Sequence, residues 1–235
     1  MKHQISNNHN LVIHHISDTH DQQHKSELVY PSDTHVIIHS GDATNFHDLA
    51  RNSVEWEAFI EWYAALPISF KIYVPGNHDA TCYLEQKRAK SMCEKNNIHY
   101  LNKDMVVIDG LKIWGDPTTP TFGTWYFTTD RSKTPKHWDM IPEDTDILIT
   151  HGPRKGILDL STTGGIHQCG DTALGRRIDS LPNLKLHCFG HIHDSSDANN
   201  AGVREKNGIF YSNAAAVKDN EFNKGIHYHG NTFLL

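Results

Sequence analysis

Short apolar runs separated by polar turns dominate this chain, with one long amphipathic stretch among them. The runs predict strands at residues 11–17, 35–40, 70–75, 105–109, 111–115, 146–150, 185–189, 209–212 and 225–229. Trp56, Phe59, Ile60 and Tyr63 recur at helical spacing, and Pro67 supplies a stop. That pattern predicts a helix over residues 52–66 that buries one face. Further helices are predicted over residues 81–95 and over 171–181, just before Pro182.

The first half alternates strand with helix, as parallel βαβ units do. Residues 105–115 read as a hairpin turning at Asp109-Gly110. Two long polar connections remain, 116–137 and 194–206, and loops of that length are commonly functional. No repeat, low-complexity tract or linker interrupts the pattern, so residues 1–235 are expected to form one domain. At this length the chain can bury a substantial core.

Composition narrows the class. The formal net charge is −6 and no long basic stretch occurs, which argues against non-specific binding to duplex DNA. No apolar run reaches the ~20 residues of a membrane span, and the first ten residues lack a hydrophobic leader core. Cys82, Cys93, Cys169 and Cys188 form no C-x-x-C pair, so reduced thiols and a cytoplasmic setting are expected. The 19 histidines are dispersed, and most must be structural or surface residues because no single site uses so many.

What stands out is where certain Asp, His and Asn residues fall. Asp18 and His20 follow the first long strand, and Gly41-Asp42 follows the second. Gly76-Asn77-His78-Asp79 follows the third, His151 precedes the turn Gly152-Pro153, and Gly190-His191-Ile192-His193 follows another strand. All offer oxygen or imidazole ligands, and ligands in open α/β sheets gather beyond the carboxyl ends of strands. Position also rejects two decoys of the same spelling. Asp33-Thr34-His35 precedes its strand, and His227-Tyr228-His229 lies within the last predicted strand and reads as a surface-facing pair. Asp42 could bridge two cations or simply end a strand. Asn77 could ligate a cation or cap the helix that follows.

Taken in order, D-x-H, G-D, G-N-H-D, T-H-G-P and G-H-x-H resemble the motif set of the calcineurin-like metallophosphoesterases, covering Asp18 to His193. The stretches 56–79, 113–127 and 138–159 resemble the metallophosphoesterase-domain-containing (MPPED-type) branch. After Asp42 this chain has Ala43-Thr44-Asn45 where many members carry a further acid or an Asn-Asp pair. Asn45 is the candidate substrate contact there. Some MPPED-type chains lack the first histidine of the last motif, whereas His191 is present.

The resemblance implies an α/β fold of four layers, two mixed β-sheets packed as a sandwich and flanked by helices. It implies two divalent metal ions, with Asp18, His20 and His193 on the first, Asn77, His151 and His191 on the second, and Asp42 bridging. A donor set without thiolate suits Mn²⁺, Fe or Zn²⁺. His78 is expected to assist the leaving group, oriented by Asp79. Hydroxide activated between the two cations would attack the phosphorus in line. The expected activity is a phosphodiesterase acting on a small nucleotide or related ester. A single-strand nuclease and a catalytically silent scaffold are the alternatives. Arg154 is a further candidate for substrate phosphate. Trp114, Phe122, Trp125 and Tyr126 could stack on a nucleobase or pack down their own loop.

Overall fold

The computed structural model describes residues 2–5, 10–221 and 223–235. In chain order the first part comprises β1 (Lys2–Gln4), β2 (Val12–Ile16), β3 (Val36–His39), α1 (Leu49–Ala65), β4 (Phe70–Tyr73), α2 (Ala80–Leu84), α3 (Gln86–Lys95) and β5 (Ile98–Tyr100). Next come β6 (Asp104–Ile108), β7 (Leu111–Asp116), the short partners β8 (Thr119–Pro120) and β9 (Thr128–Thr129), α4 (Thr134–Trp138) and β10 (Ile147–Thr150). The rest is β11 (Leu160–Ser161), β12 (His167–Gln168), α5 (Thr172–Asp179), β13 (Leu186–Phe189), β14 (Gly202–Lys206), β15 (Ile209–Asn213) and β16 (Asn231–Leu234).

Two six-stranded mixed sheets result, ordered β1-β16-β2-β3-β4-β5 and β14-β15-β13-β10-β7-β6. The central strands β2, β3 and β4 run parallel, as do β7, β10 and β13, so each sheet gathers its carboxyl ends along one edge. Ile13, Ile38 and Ile72 of one sheet and Ile113, Ile149 and Cys188 of the other fill the space between the sheets. Strands buried on both faces need apolar residues throughout, which is why these runs lack clean alternation. Outside the first sheet, α1 buries Trp56, Phe59, Ile60 and Tyr63, as its periodicity predicts. Outside the second, Trp138, Leu174 and Ile178 close a third cluster under α4 and α5. Helix, sheet, sheet, helix is the four-layer fold expected.

The β6–β7 hairpin turns where predicted, with Asp109 and Gly110 both at positive φ (51° and 79°), as a tight two-residue turn demands. Other expectations need correction. The last strand is β16, not residues 225–229. Phe233 enters the inter-sheet core, whereas Gly225 and Gly230, at φ 86° and 95°, turn the chain between them. His227 and His229 therefore lie in the irregular connection before β16, and the His229 carbonyl accepts from His14 Nε2 at 2.8 Å. The helix predicted over 81–95 is broken at Glu85 (φ −122°, ψ 44°) into α2 and α3. The connection 194–206 ends in β14, whose partner β15 follows a turn at Asn207-Gly208 with both residues at positive φ. Asn-Gly is the strongest short hairpin signal a sequence offers, since both residues of a tight two-residue turn need positive φ. Within 116–137, α4 begins at Thr134 with Pro135 in its first turn.

All four cysteines are free, and Cys82, Cys93 and Cys188 are buried. Among the described residues no helix is long and apolar enough to cross a membrane.

Candidate metal centre

Each candidate ligand is delivered by a strand end and fixed by the backbone of its neighbours. The segments after β2 and β3 are tied by Asp18 N–H to Gly41 O at 2.8 Å and His20 N–H to Asp42 O at 3.0 Å. Asp18, His20, Asp42 and His191 all sit at positive φ (52°, 44°, 53° and 66°), a conformation that is uncommon for residues with side chains. Such strain persists only where the surroundings over-determine it, and it clusters at functional sites.

The glycines beside these residues are there for space. A Cβ on Gly190 would lie 1.8 Å from Asp18 Oδ2, and one on Gly76 would lie 2.3 Å from Asp42 Oδ1. Gly41 packs against Gly76 and the His151 ring in the same way. The G-D, G-N-H-D and G-H-x-H motifs thus begin with glycine because the turns that carry the ligands press against one another.

The donors form two groups. Asp18, His20 and His193 make one, Asp42, His151 and His191 the other, and within each group the ligand atoms lie within 4.8 Å of one another. Asp18 Oδ1 is 3.2 Å from His193 Nε2, and Asp42 Oδ2 is 3.3 Å from His151 Nε2. Asn77 Oδ1 joins the second group at 2.9 Å from His151 Nε2. The groups meet at Asp42, whose Oδ2 is 3.8 Å from His20 Nε2. The Asp18 carboxylate also accepts the His191 N–H at 3.0 Å, so it joins the edges of the two sheets.

Backbone carbonyls set the imidazoles. His151 donates Nδ1–H to Ser40 O at 2.9 Å and His193 donates Nδ1–H to Val217 O at 2.8 Å, which directs each Nε2 into the cluster. Burial works against charge on Asp18, yet the His193 hydrogen bond and the nearby imidazoles hold it far below the usual carboxylate range. Asp42 is likewise held down against burial, mainly by His151. His191 is lowered to about 3 by burial and by His151, and so stays in the neutral form that ligates. Two buried carboxylates kept anionic and a ring of imidazoles are a donor set that divalent cations fit.

His78 lies at the open side. Its N–H donates to Asp42 Oδ1 at 2.7 Å, and its Nδ1–H donates to the Asn45 carbonyl at 3.0 Å. Its ring meets that of His20 edge-on at 4.7 Å and lies 4.0 Å from Trp125, tilted by 30°. With Asp42 and His20 it makes a third, overlapping donor group.

Asp79 is a correction. Its place beside His78 in the chain suggests that it orients that ring, but its carboxylate accepts from Asp42 N, Gly76 N, Thr44 N, Thr44 Oγ1 and Tyr73 OH. It organises the two turns from beneath, and the Asn45 carbonyl orients His78 instead. Arg154 is another. Its guanidinium pairs with Asp179 at 2.5 Å and donates to Tyr211 OH at 3.2 Å, tying the turn after β10 to α5. Asn45 does border the site, half-buried beside His20 in a cavity that Phe46 and Asn220 also line. Of the loop aromatics, Trp125 and Phe122 reach the site, Phe122 at 4.9 Å from His191. Tyr126 stacks on His47, and Trp114 packs on the outer cluster.

One organising residue escaped the sequence reading. Asn52 of α1, fully buried, donates to Thr44 Oγ1, Phe46 O and His78 O, and accepts from Thr81 N and Oγ1. It staples the turn after β3 to the turn after β4. The available signal was a polar residue on the buried stripe of an amphipathic helix, where Asn52 and Glu55 continue the face of Trp56 and Phe59.

This edge, with its ordered donors from two facing sheets, carries the motifs of one family, and the calcineurin-like phosphoesterase model matches residues 11–195. The chain belongs to the calcineurin-like phosphoesterase family. Metallophosphoesterase domain-containing protein 1 of Homo sapiens is 31% identical over 203 residues, covering 76% of this chain and 59% of that protein. A UPF0046 protein of Caenorhabditis elegans is 30% identical over 217 residues, covering 85% of this chain and 68% of its own length. Among solved structures, the phosphopantetheinyl hydrolase of Mycobacterium tuberculosis superposes with a TM-score of 0.58 at 13% identity, covering 95% of each chain, a likeness of fold alone. These relatives support the MPPED-type branch.

Proposed function

We propose that the protein is a phosphodiesterase with two divalent metal ions, acting through one catalytic domain on a small nucleotide-type ester. The carrying observation is the convergence of two oxygen-and-imidazole donor groups on Asp42, within 4.8 Å inside each group. Asp18, His20 and His193 would hold one ion, Asn77, His151 and His191 the other, and Asp42 would face both. When bound, the ions supply Lewis-acid polarisation of the phosphoryl oxygens and a more acidic water.

The chain's own residues do the rest. His78, with Nδ1–H committed to Asn45 O, presents Nε2 toward the site, where it can hydrogen-bond the leaving oxygen and pass it a proton. Trp125 covers one face of that ring and limits its contact with water. Buried Asp18 and Asp42 carry negative charge that only cations or imidazolium offset. Cavities flank the cluster on two sides, one beside His191 and His193, the other beside His20 and Asn45. A diester has an arm for each, which favours diesters over monoesters. Mn²⁺, Fe and Zn²⁺ suit these donors, and four unbridged cysteines suit the reducing cytoplasm.

The test compares bis(p-nitrophenyl) phosphate with p-nitrophenyl phosphate after loading with Mn²⁺, Fe²⁺ or Zn²⁺. Metal-dependent turnover of the diester is expected. His78→Ala should lower kcat by roughly 10²–10⁴-fold with metal content retained. Unchanged turnover in that variant would remove His78 from the mechanism.

A further inference from the structure

The cavity beside His191 and His193, about 420 Å³ in volume, is large enough for a whole ester arm. Phe122, Pro153 and the β11–β12 hairpin, through Thr163 and His167, wall it. One cation lines it. Arg131 is exposed, yet its guanidinium is fixed, with Nη1 donating to Gly170 O at 3.1 Å and Nη2 to Cys169 O at 2.7 Å. Among the described residues it forms no ion pair with any carboxylate. Carbonyls hold the plane of the fork without neutralising it, and further N–H donors remain. A fixed, un-neutralised guanidinium is the arrangement that recognises an oxyanion. Arg131 is the cation and Asp219 the acid among the cavity's lining residues.

We propose that this cavity is a subsite for an ester arm bearing a second oxyanion, a phosphate or a carboxylate, and that Arg131 reads it. The inference rests on the phosphodiesterase reading for its reaction, but the charge recognition is separate from it. His191 and His193 bring the cavity up to the metal centre, so an arm anchored at Arg131 would run from the scissile phosphate along Phe122.

The test uses the full chain loaded with Mn²⁺ and three p-nitrophenyl diesters whose second arm is ethyl, 2-carboxyethyl or 2-phosphoethyl. The wild type is expected to favour a charged arm by about ten- to a hundredfold in kcat/KM, carried by KM. Whichever charged arm is favoured identifies the oxyanion. Arg131→Ala should collapse that preference toward unity, and Arg131→Lys, which keeps the charge without the fork, should retain part of it. No preference in the wild type, or a preference that survives Arg131→Ala, overturns the subsite. Calorimetric binding of ethylene bisphosphate against ethyl phosphate separates the two readings. Arg131-dependent preference for the bisphosphate without any diester hydrolysis keeps the subsite and overturns the phosphodiesterase. Hydrolysis without preference does the reverse, and loss of both overturns both.

Discussion

Replacing Gly190 by alanine is a test of one atom. The glycine lacks a positive φ, so its backbone conformation is open to alanine. What stands in the way is side chain: the new Cβ would lie 1.8 Å from Asp18 Oδ2 and 2.3 Å from Ser17 Oγ. To regain ordinary contact the carboxylate must retreat by roughly 1.5 Å. Asp18 is buried and lies 3.2 Å from His193 Nε2, and it also accepts the His191 N–H. Its retreat would therefore disturb donors on both sheets. A misplacement of about 1 Å near reacting groups can cost roughly 10²-fold in rate, and overpacking a tight site costs about 1–3 kcal/mol of stability. Gly190→Ala is expected to remain folded, to lose at least one equivalent of metal on gel filtration, and to fall about a hundredfold in kcat on an aryl diester. Elemental analysis, a thermal melt and the chromogenic assay together read these out. A folded variant with full metal content and wild-type kcat would refute the claim that glycine is required here to place Asp18.

Asn52→Ala should destabilise the fold by about 2–4 kcal/mol in urea unfolding, because it strands buried carbonyl and N–H partners in both site turns. It should also lower kcat, since His78 O and Phe46 O lose their shared donor. Chelation should lower the melting temperature. At a metal concentration a hundred times Kd, each ion contributes about 2.7 kcal/mol, so removing both should shift the melt by roughly 10 °C or more. Stability should also fall in acid. Burial lowers His14 to about 4 and His187 to about 3 from 6.5, so the unfolded chain takes up protons first. Their contribution is complete above pH 6.5 and is lost as pH falls through that value toward 4 and 3, by up to about 3 kcal/mol for His14 and about 5 kcal/mol for His187. Urea midpoints measured between pH 7.5 and 4 check the sign, and His14→Gln should flatten the slope.

How much of this was legible in the sequence depended on which force fixes each group. Strand cores are selected by burial, and burial leaves apolar runs that can be read, so β2, β3, β4, β10 and β13 fell within a residue or two of expectation. The candidate ligands followed because a site beyond parallel strand ends needs its chemistry immediately after those runs. Asp33 and His35 failed that rule, and the structure agrees: Asp33 pairs with Lys2, and His35 Nδ1 accepts from Val12 N at 3.1 Å. What could not be read was partnership across the fold. Asp79 is next to His78 in the chain, and adjacency suggested a pair. Yet its five donors come from the turns after β3 and β4 and from Tyr73, a choice made by tertiary geometry and by the need to satisfy buried N–H groups. Arg154 follows His151 closely, but its side chain reaches away to Asp179 on α5. Arg131 shows the converse. Nothing in its sequence neighbourhood marks it, because what singles it out, two carbonyls contributed from residues 169 and 170, exists only once the second half of the chain has folded against the loop. Local spelling therefore locates the candidate metal donors, while the group proposed to read a substrate arm is set by contacts distant in sequence. On that division, a change of specificity within this fold should arise in the connections 116–137 and 160–170 with the strand-end donors left untouched.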